Sequence, residues 1–358
     1  MRRIYLIRHS RPDFPEGKKM CIGKTDLPLG AVGRMQSVLL AEGLKDREIS
    51  AVYCSDLKRS IQTASYLRKE PVSKSGFQEF GCGDWDGRTF EEIKEKWPEI
   101  YALRGKDLSC PIPGAQSEEE GRQQFEKTLL EVLGQSEGDI AIVGHATANQ
   151  SFLCGIRGID PKLHRIIPMD YASVTTLTFD GTFSVSKENE VFVPELTEAL
   201  CKKLLKAAGT PKPVQAHCMA VKNQAKRISS ALKEAGVVLN ESLLERAAML
   251  HDVARTEKEH AKMGGEWIRQ LGYPKEGTII GVHHDGSFSL EVIDEKAVLA
   301  MADRCVKETE VVSVEERFLE SKKKCKTKEA LKMHQERYLH TLRLKERIHE
   351  ICGKEIIL

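Results

Sequence analysis

The chain has 358 residues, 41% of them hydrophobic and 30% charged, which exceeds one ordinary domain and makes two the natural expectation. A formal net charge of +2 gives no electrostatic case for nucleic acid or a membrane surface as partner. Ten scattered cysteines contain no Cys-x-x-Cys pair, so no zinc knuckle or disulfide framework is expected, and reduced thiols in a cytoplasm are. The N-terminal apolar run, Ile4–Ile7, predicts a strand and is too short for a signal peptide. No stretch is long enough to span a membrane. The strand ends at Arg8-His9. Ile49–Cys54 predicts a second strand, with Ser55 as helix N-cap and Arg59 in the first turns of the helix that follows. Ile140–Gly144 predicts a third, ending at His145. Ser173–Phe179 and Thr182–Ser186 flank Asp180-Gly181, a hairpin signal, and 187–190 is polar and loop-like.

From Pro194 onward strand signals nearly vanish. Helix-period runs replace them at 195–208, 214–235, 240–254, 258–271, 276–284 and 290–308. Val314–Cys352 is highly charged, with apolar residues recurring as one or two amphipathic helices; a helix packed on the preceding bundle is favoured over one that makes a homodimer. The expected division is 1–190, an α/β domain, and 195–358, an all-α one.

Two strands that each deliver a histidine at the C-terminal end can place both in one crevice, where open α/β sheets bind ligands. Two histidines and an arginine there suit a phosphate and a covalent phosphohistidine. The surrounding pattern is Ile-Arg8-His9, Gly-x-x-Asp-x-Pro-Leu from Gly23, Ser55-x-Leu-x-Arg59-x-x-x-Thr-Ala, Glu79 followed by Gly-x-Trp85-x-Gly87, and Val-Gly-His145-Ala. In that order the set resembles the histidine phosphatase superfamily, which also holds the cofactor-dependent phosphoglycerate mutases, and within it the α-ribazole phosphatase branch. The resemblance implies a three-layer α/β phosphoglycerate mutase-like fold. It implies His9 as nucleophile and Arg8, Arg59 and His145 as the cationic clamp on the phosphoryl group. Glu79 is implied as general acid in a partly buried site, with Ser10 and Thr25 as secondary phosphate contacts. No metal is implied for this half. Ser10, Asp86 and Ala146 depart from the usual glycine, glutamate and glycine of the family.

In the helical half, Leu250-His251-Asp252 closes a mostly apolar run, with His217 upstream and Asp303 downstream. A histidine beside an aspartate is costly to bury unless its charge is compensated, as a divalent metal would do. Imidazole and carboxylate ligands suit manganese, iron, cobalt, nickel or zinc, with magnesium also compatible. The ordered set His217, His251, Asp252, Asp303 resembles the HD-domain phosphohydrolases, implying a helical bundle with one metal ion. His260 and His283 resemble the extra ligands of a two-metal subtype. His284 competes with His283, since a helix or turn is expected to aim only one of them inward. His164, His334, His340 and His349 lie in solvated-looking contexts and receive no role.

The expected protein is a bifunctional cytoplasmic phosphohydrolase acting on a small phosphorylated metabolite or nucleotide. Its first half would be a phosphomonoesterase for α-ribazole phosphate or a similar ester, and its second a metal-dependent HD hydrolase. The alternative is mutase-type transfer in the first half, disfavoured because the segments around 10–25 and 95–120 look short for a bisphosphorylated intermediate. The second half would then be a ligand-sensing module without turnover.

Overall fold

Residues Ile4, Tyr5, Leu6 and Ile7 are all buried, so this strand is covered on both faces. The computed structural model describes every residue except 106, 108, 109, 285–287 and 356–358; three of these belong to the 95–120 segment. The chain divides into two compact units, Met1–Pro194 and Glu195–Leu358.

The first unit holds β1 (Arg2–Arg8), β2 (Met20–Cys21), β3 (Ile49–Cys54), β4 (Pro71–Ser73), β5 (Arg88–Thr89), β6 (Asp139–Gly144), β7 (Val174–Phe179) and β8 (Phe183–Glu190). Its α-helices are α1 (Ala31–Gly43), α2 (Lys58–Ala64), α3 (Phe90–Lys96), α4 (Pro98–Arg104), α5 (Glu118–Gln135) and α6 (Ala146–Arg157). Six strands form one sheet in the order β4-β3-β6-β1-β7-β8, while β2 and β5 pair separately. Strands β4, β3, β6 and β1 are parallel; β7 pairs antiparallel to β1, and β8 antiparallel to β7. Ile4 and Leu6 pack with Phe125 and Leu129 of α5 and Phe152 of α6. Tyr5 and Ile7 pack on the other face, with Leu40 of α1 and Ala64 of α2. This is the three-layer α/β arrangement expected from the sequence.

Residues 187–190, expected as loop, are the last residues of β8. β8 is an edge strand, where polar side chains remain in water, and the register slips around Thr176 where Asn189 adopts φ 48°.

The second unit is helical: α7 (Glu198–Ala208), α8 (Lys212–Glu234), α9 (Glu241–Leu250), α10 (His260–Gln270), α11 (Pro274–Gly281), α12 (Glu295–Arg304), α13 (Val314–Lys322) and α14 (Lys328–Cys352). Thr197, Asn240, Asp294, Ser313 and Thr327 cap α7, α9, α12, α13 and α14 through their side chains. α10 and α11 touch through backbone: a Cβ on Gly265 would lie 2.6 Å from the Gly277 carbonyl oxygen. The helix expected to reach 308 instead ends at Arg304. Val306–Lys307 (β9) and Glu310–Val311 (β10) form a small hairpin, turned at Glu308 with φ 53°. α14 packs on α8 and α12, burying Leu344 and Ile348.

Candidate active sites

The first site is built at strand ends. Arg8 of β1 is in register with Gly144 of β6, and the His9 N–H donates to the Gly144 carbonyl at 3.0 Å. On the far side of β6, the Ser55 N–H donates to the Val143 carbonyl at 3.1 Å. Three adjacent parallel strands therefore end on Ser55, His145 and His9. A side chain at position 144 would not fit, since its Cβ would lie 2.7 Å from Asn149 Oδ1. The His9 and His145 rings lie 5.0 Å apart.

The hydrogen bonds fix how each ring works. His9 Nδ1 lies 2.7 Å from the Ser10 carbonyl oxygen. A carbonyl only accepts, so Nδ1 carries the proton and Nε2 keeps its lone pair. His145 Nε2 lies 2.7 Å from Ser55 Oγ, which itself accepts the Leu57 N–H at 3.3 Å. With the Ser55 hydroxyl donating to Nε2, the His145 proton sits on Nδ1, which is buried with no acceptor. Burial and the charges of Arg59 and Arg8 hold His9 well below its usual range. Burial, Arg59 and His9 do the same to His145.

Arg8 and Arg59 frame these rings. The Arg8 guanidinium stacks 3.8 Å over Tyr171, whose ring centroid lies 5.7 Å from that of His9. Arg59 is fully buried and donates to the carbonyls of Thr25 at 2.7 Å and Gly23 at 2.9 Å. That loop is gathered by Asp86. Its carboxylate accepts the N–H groups of Gly23, Lys24 and Thr25 and the Thr25 hydroxyl. Burial would push this carboxyl up, but those four donors hold it below the usual range. Glu79, 8% exposed, accepts the N–H groups of Thr147 and Ala148 in the first turn of α6, each at 3.0 Å, and that of Phe80.

The second site gathers residues from helix ends and turns. His217 lies on α8, His251 and Asp252 just past α9, His260 at the start of α10, His283 and His284 just past α11, and Asp303 on α12. Three imidazoles donate Nδ1–H to carbonyl oxygens: His217 to Glu308 at 2.9 Å, His251 to Ala248 at 2.8 Å and His283 to Ile280 at 2.7 Å. Each thus presents a bare Nε2. The Nε2 atoms of His251 and His283 are buried without a hydrogen-bond partner. His217 Nε2 lies 3.0 Å from Asp303 Oδ1, and His260 Nε2 lies 3.2 Å from Asp252 Oδ1. Burial would raise the Asp252 carboxyl, but His251 and His260 keep it well below its usual range.

Orphaned imidazole nitrogens beside two carboxylates, each ring locked by a backbone carbonyl, fit a divalent metal. The ligand atoms fall into overlapping groups: His217, His251 and Asp252; His251, His283 and Asp303; and Asp252, His260, His283 and His284. His283 and His284 both face the cluster, contrary to the expectation that only one would. They occupy a turn after α11 rather than successive helix positions, and His284 Nε2 lies 3.1 Å from His260 Nε2.

Residues 4–189 match the histidine phosphatase superfamily (branch 1). The chain belongs to this superfamily. Residues 214–308 match the HD domain. The chain is 25% identical over 186 residues to the putative phosphoserine phosphatase 2 of Hydrogenobacter thermophilus, covering 51% of this chain and 91% of that one. It is 31% identical over 169 residues to the uncharacterized phosphatase PhoE of Bacillus subtilis, covering 46% and 81%. A solved structure of Bacillus stearothermophilus YhfR matches with TM-score 0.49 and 26% identity, covering 53% of this chain and 98% of its own.

In both units, several sequence expectations meet a different local geometry. Ser55 is not a helix cap: α2 begins at Lys58 after Leu57, and the Ser55 hydroxyl holds His145 instead. The Ser10 hydroxyl is buried against Ser37 Oγ at 2.8 Å, and the Thr25 hydroxyl is taken by Asp86 at 2.6 Å. His164 and His334, read as solvated, are 4% and 6% exposed; His164 meets Glu118 and His334 meets Ser321. Sequence reasoning assigned no role to Tyr171 or Asp86. Asp86 stood in view as a departure from the family pattern, whereas nothing in the sequence signalled Tyr171. Among the described residues no helix is long and apolar enough to cross a membrane.

Proposed function

We propose that the N-terminal unit is a phosphomonoesterase working through a phosphohistidine at His9, and that the C-terminal unit is a metal-dependent phosphohydrolase. The observation that carries the first reading is the His9 ring, neutral and anchored by Nδ1–H to Ser10, with Nε2 open beside two arginines and His145. Nε2 attacks phosphorus and forms the N–P bond as the P–O bond to the leaving alcohol breaks. Glu79, in its acid form, gives its proton to that oxygen. Arg8 and Arg59 neutralise the phosphoryl oxygens as charge builds on them, and the neutral His145 ring, expected from the sequence as part of a cationic clamp, instead donates its Nδ1–H to one of them. A water then attacks phosphorus, Glu79 takes its proton, and the N–P bond breaks to release phosphate and His9. Cationic side chains supply the positive charge this chemistry needs. Small phosphomonoesters, α-ribazole phosphate among them, are the substrates in view.

In the HD unit, His217, His251, Asp252 and Asp303 would hold one divalent ion, and Asp252, His260 and His283 or His284 a second. A bound ion polarises a phosphoryl oxygen and acidifies a bound water. The chain's own part is to hold the proton of each ring on Nδ1 and aim Nε2 inward, through the carbonyls of Ala248, Ile280 and Glu308.

The deciding test is a phosphatase screen over a metabolite panel, run with and without chelator. His9→Ala abolishes the chelator-resistant activity in a protein of unchanged circular dichroism. Substantial chelator-resistant turnover by that variant overturns the assignment.

A further inference from the structure

The two arginines of the first site are seated differently. Arg59 is fully buried and donates to two loop carbonyls. Among the described residues Arg8 donates through its side chain to one carbonyl, that of Met169, from Nη1. Its Nε is buried with no partner. An arginine side chain turns about several bonds, so one hydrogen bond does not set the plane of its fork. The half-buried Tyr171 ring does. The guanidinium carbon of Arg8 lies 3.8 Å from its centroid, so the ring covers one face of the fork. With one face on tyrosine and Nη1 on a carbonyl, the edge that carries Nε stays open. Such an edge suits phosphoryl oxygens. The same ring lies 5.7 Å from that of His9.

The backbone around Tyr171 is built to keep the ring there. The Ser173 N–H donates to the Asp170 carbonyl at 3.1 Å, closing a turn. That turn is tied to Arg8 itself: the Ala172 N–H donates to the Arg8 carbonyl at 3.2 Å, and the Arg8 N–H to the Ser173 carbonyl at 3.1 Å. Ala172 adopts φ 59°, in the left-handed region where a Cβ is strained. Asn189 clamps the turn from β8. Its Oδ1 accepts the Asp170 N–H and its Nδ2 donates to the Asp170 carboxylate, each at 2.8 Å. Asn189 is itself left-handed, with φ 48°. Two of the five described non-glycine residues with positive φ therefore serve this one turn. Such strain persists only where the surroundings over-determine it, and it clusters at functional sites.

We infer that Tyr171 is a positioning residue for phosphoryl transfer: its ring, fixed by the strained 170–173 turn, holds the Arg8 fork in the plane from which the Nε edge meets the phosphoryl group on its way to His9. This rests on the phosphohistidine reading above and adds a residue that works through Arg8. A fork already in place spends no entropy on orientation as charge builds on the phosphoryl oxygens.

The full-length chain, held in chelator to silence the HD unit, is assayed on 4-nitrophenyl phosphate, an activated ester that keeps slow variants measurable. Tyr171→Leu should lower kcat/KM by about tenfold or more, while Tyr171→Phe, which keeps the ring face, should stay within about threefold of wild type. An Arg8→Gln background decides how the ring acts. There Tyr171→Leu should change the rate by no more than about twofold, because the group it positions is gone. Asn189→Gly keeps the left-handed backbone and removes the clamp from outside the site. It should lose activity in the wild-type background and not in Arg8→Gln, and it carries the same cycle if Tyr171→Leu does not fold. Losses that multiply in the double variants show a role independent of Arg8 and overturn the inference. So do wild-type kinetics in both Tyr171→Leu and Asn189→Gly, or a Tyr171→Phe loss equal to that of Tyr171→Leu, which would credit the hydroxyl. Hydrolysis that survives His9→Ala removes the phosphohistidine reading itself. His9-dependent turnover without coupling between Tyr171 and Arg8 removes the positioning role alone.

Discussion

A histidine nucleophile must be neutral and must offer one particular nitrogen. His9 meets both needs through its neighbours: the Ser10 carbonyl claims Nδ1, while burial, Arg59 and Arg8 disfavour the cation. The same physics has a stability consequence. A ring whose folded pKa lies below the ordinary 6.5 excludes a proton that the unfolded chain accepts. Its contribution is fully present above pH 6.5 and is lost as pH falls toward the folded value. Each such ring adds a slope of about 1.4 kcal/mol per pH unit in that window. Urea unfolding followed from about pH 7.5 to 5 should therefore show a shallower acid loss for His9→Asn than for wild type. Equal slopes would mean that other groups govern acid sensitivity. Glu79 makes a kinetic prediction. Glu79→Gln should slow alkyl phosphates by about 10²-fold or more and leave 4-nitrophenyl phosphate far less affected, since a phenolate leaves without a proton. An equal loss on both would reduce Glu79 to its structural bonds with the start of α6.

At the scale of elements, the Gly23–Thr25 loop beside the proposed phosphate site is held by one side chain. Three N–H groups and one hydroxyl converge on Asp86, and the loop's carbonyls in turn hold the buried Arg59 guanidinium. Asp86→Ala leaves those donors unanswered and should cost about 1–3 kcal/mol. It should also raise KM across all phosphomonoesters, because Arg59 loses its seat, while Asp86→Asn should retain part of the function. A denaturation midpoint and KM both at wild-type values in Asp86→Ala would refute this. The position was readable only as a departure from a family pattern. Which backbone groups it gathers follows from the pairing of β2 with β5, a contact between segments 67 residues apart at Cys21↔Arg88.

For the whole molecule, the proposed function assigns separate chemistry to the two units. A phosphohistidine site and a metal cluster share no required group. Asp252→Ala should spare the chelator-resistant reaction, and His9→Ala should spare any metal-dependent one. Manganese or iron should raise the thermal midpoint of the Glu195–Leu358 unit by mass action and release protons on binding. His251→Ala should abolish that shift. Calorimetry with and without metal separates the outcomes. A metal-induced shift that persists in His251→Ala would detach the cluster from metal binding, and loss of both activities in either point variant would make the units one catalytic system.

The sequence by itself determined the strand that ends on Arg8-His9, the matching strand that ends on His145, and the change from mixed to all-helical periodicity near Pro194. These rest on local patterns: short apolar runs, 3.6-residue spacing and punctuating glycines and prolines. The resemblance to the HD-domain phosphohydrolases, rather than any local pattern, grouped His217, His251, Asp252, His260, His283 and Asp303, which are spread over five helices and their ends. Only the tertiary structure decided what the small polar groups do. Ser55 turns from an expected cap into a partner of His145, Ser10 pairs with Ser37, Tyr171 comes under Arg8, and His283 and His284 both face one cluster. Each of these depends on a hydrogen bond or ring contact between residues distant in sequence, or on the path of one turn. The direction of a short polar side chain is set by such contacts after the strands and helices have packed.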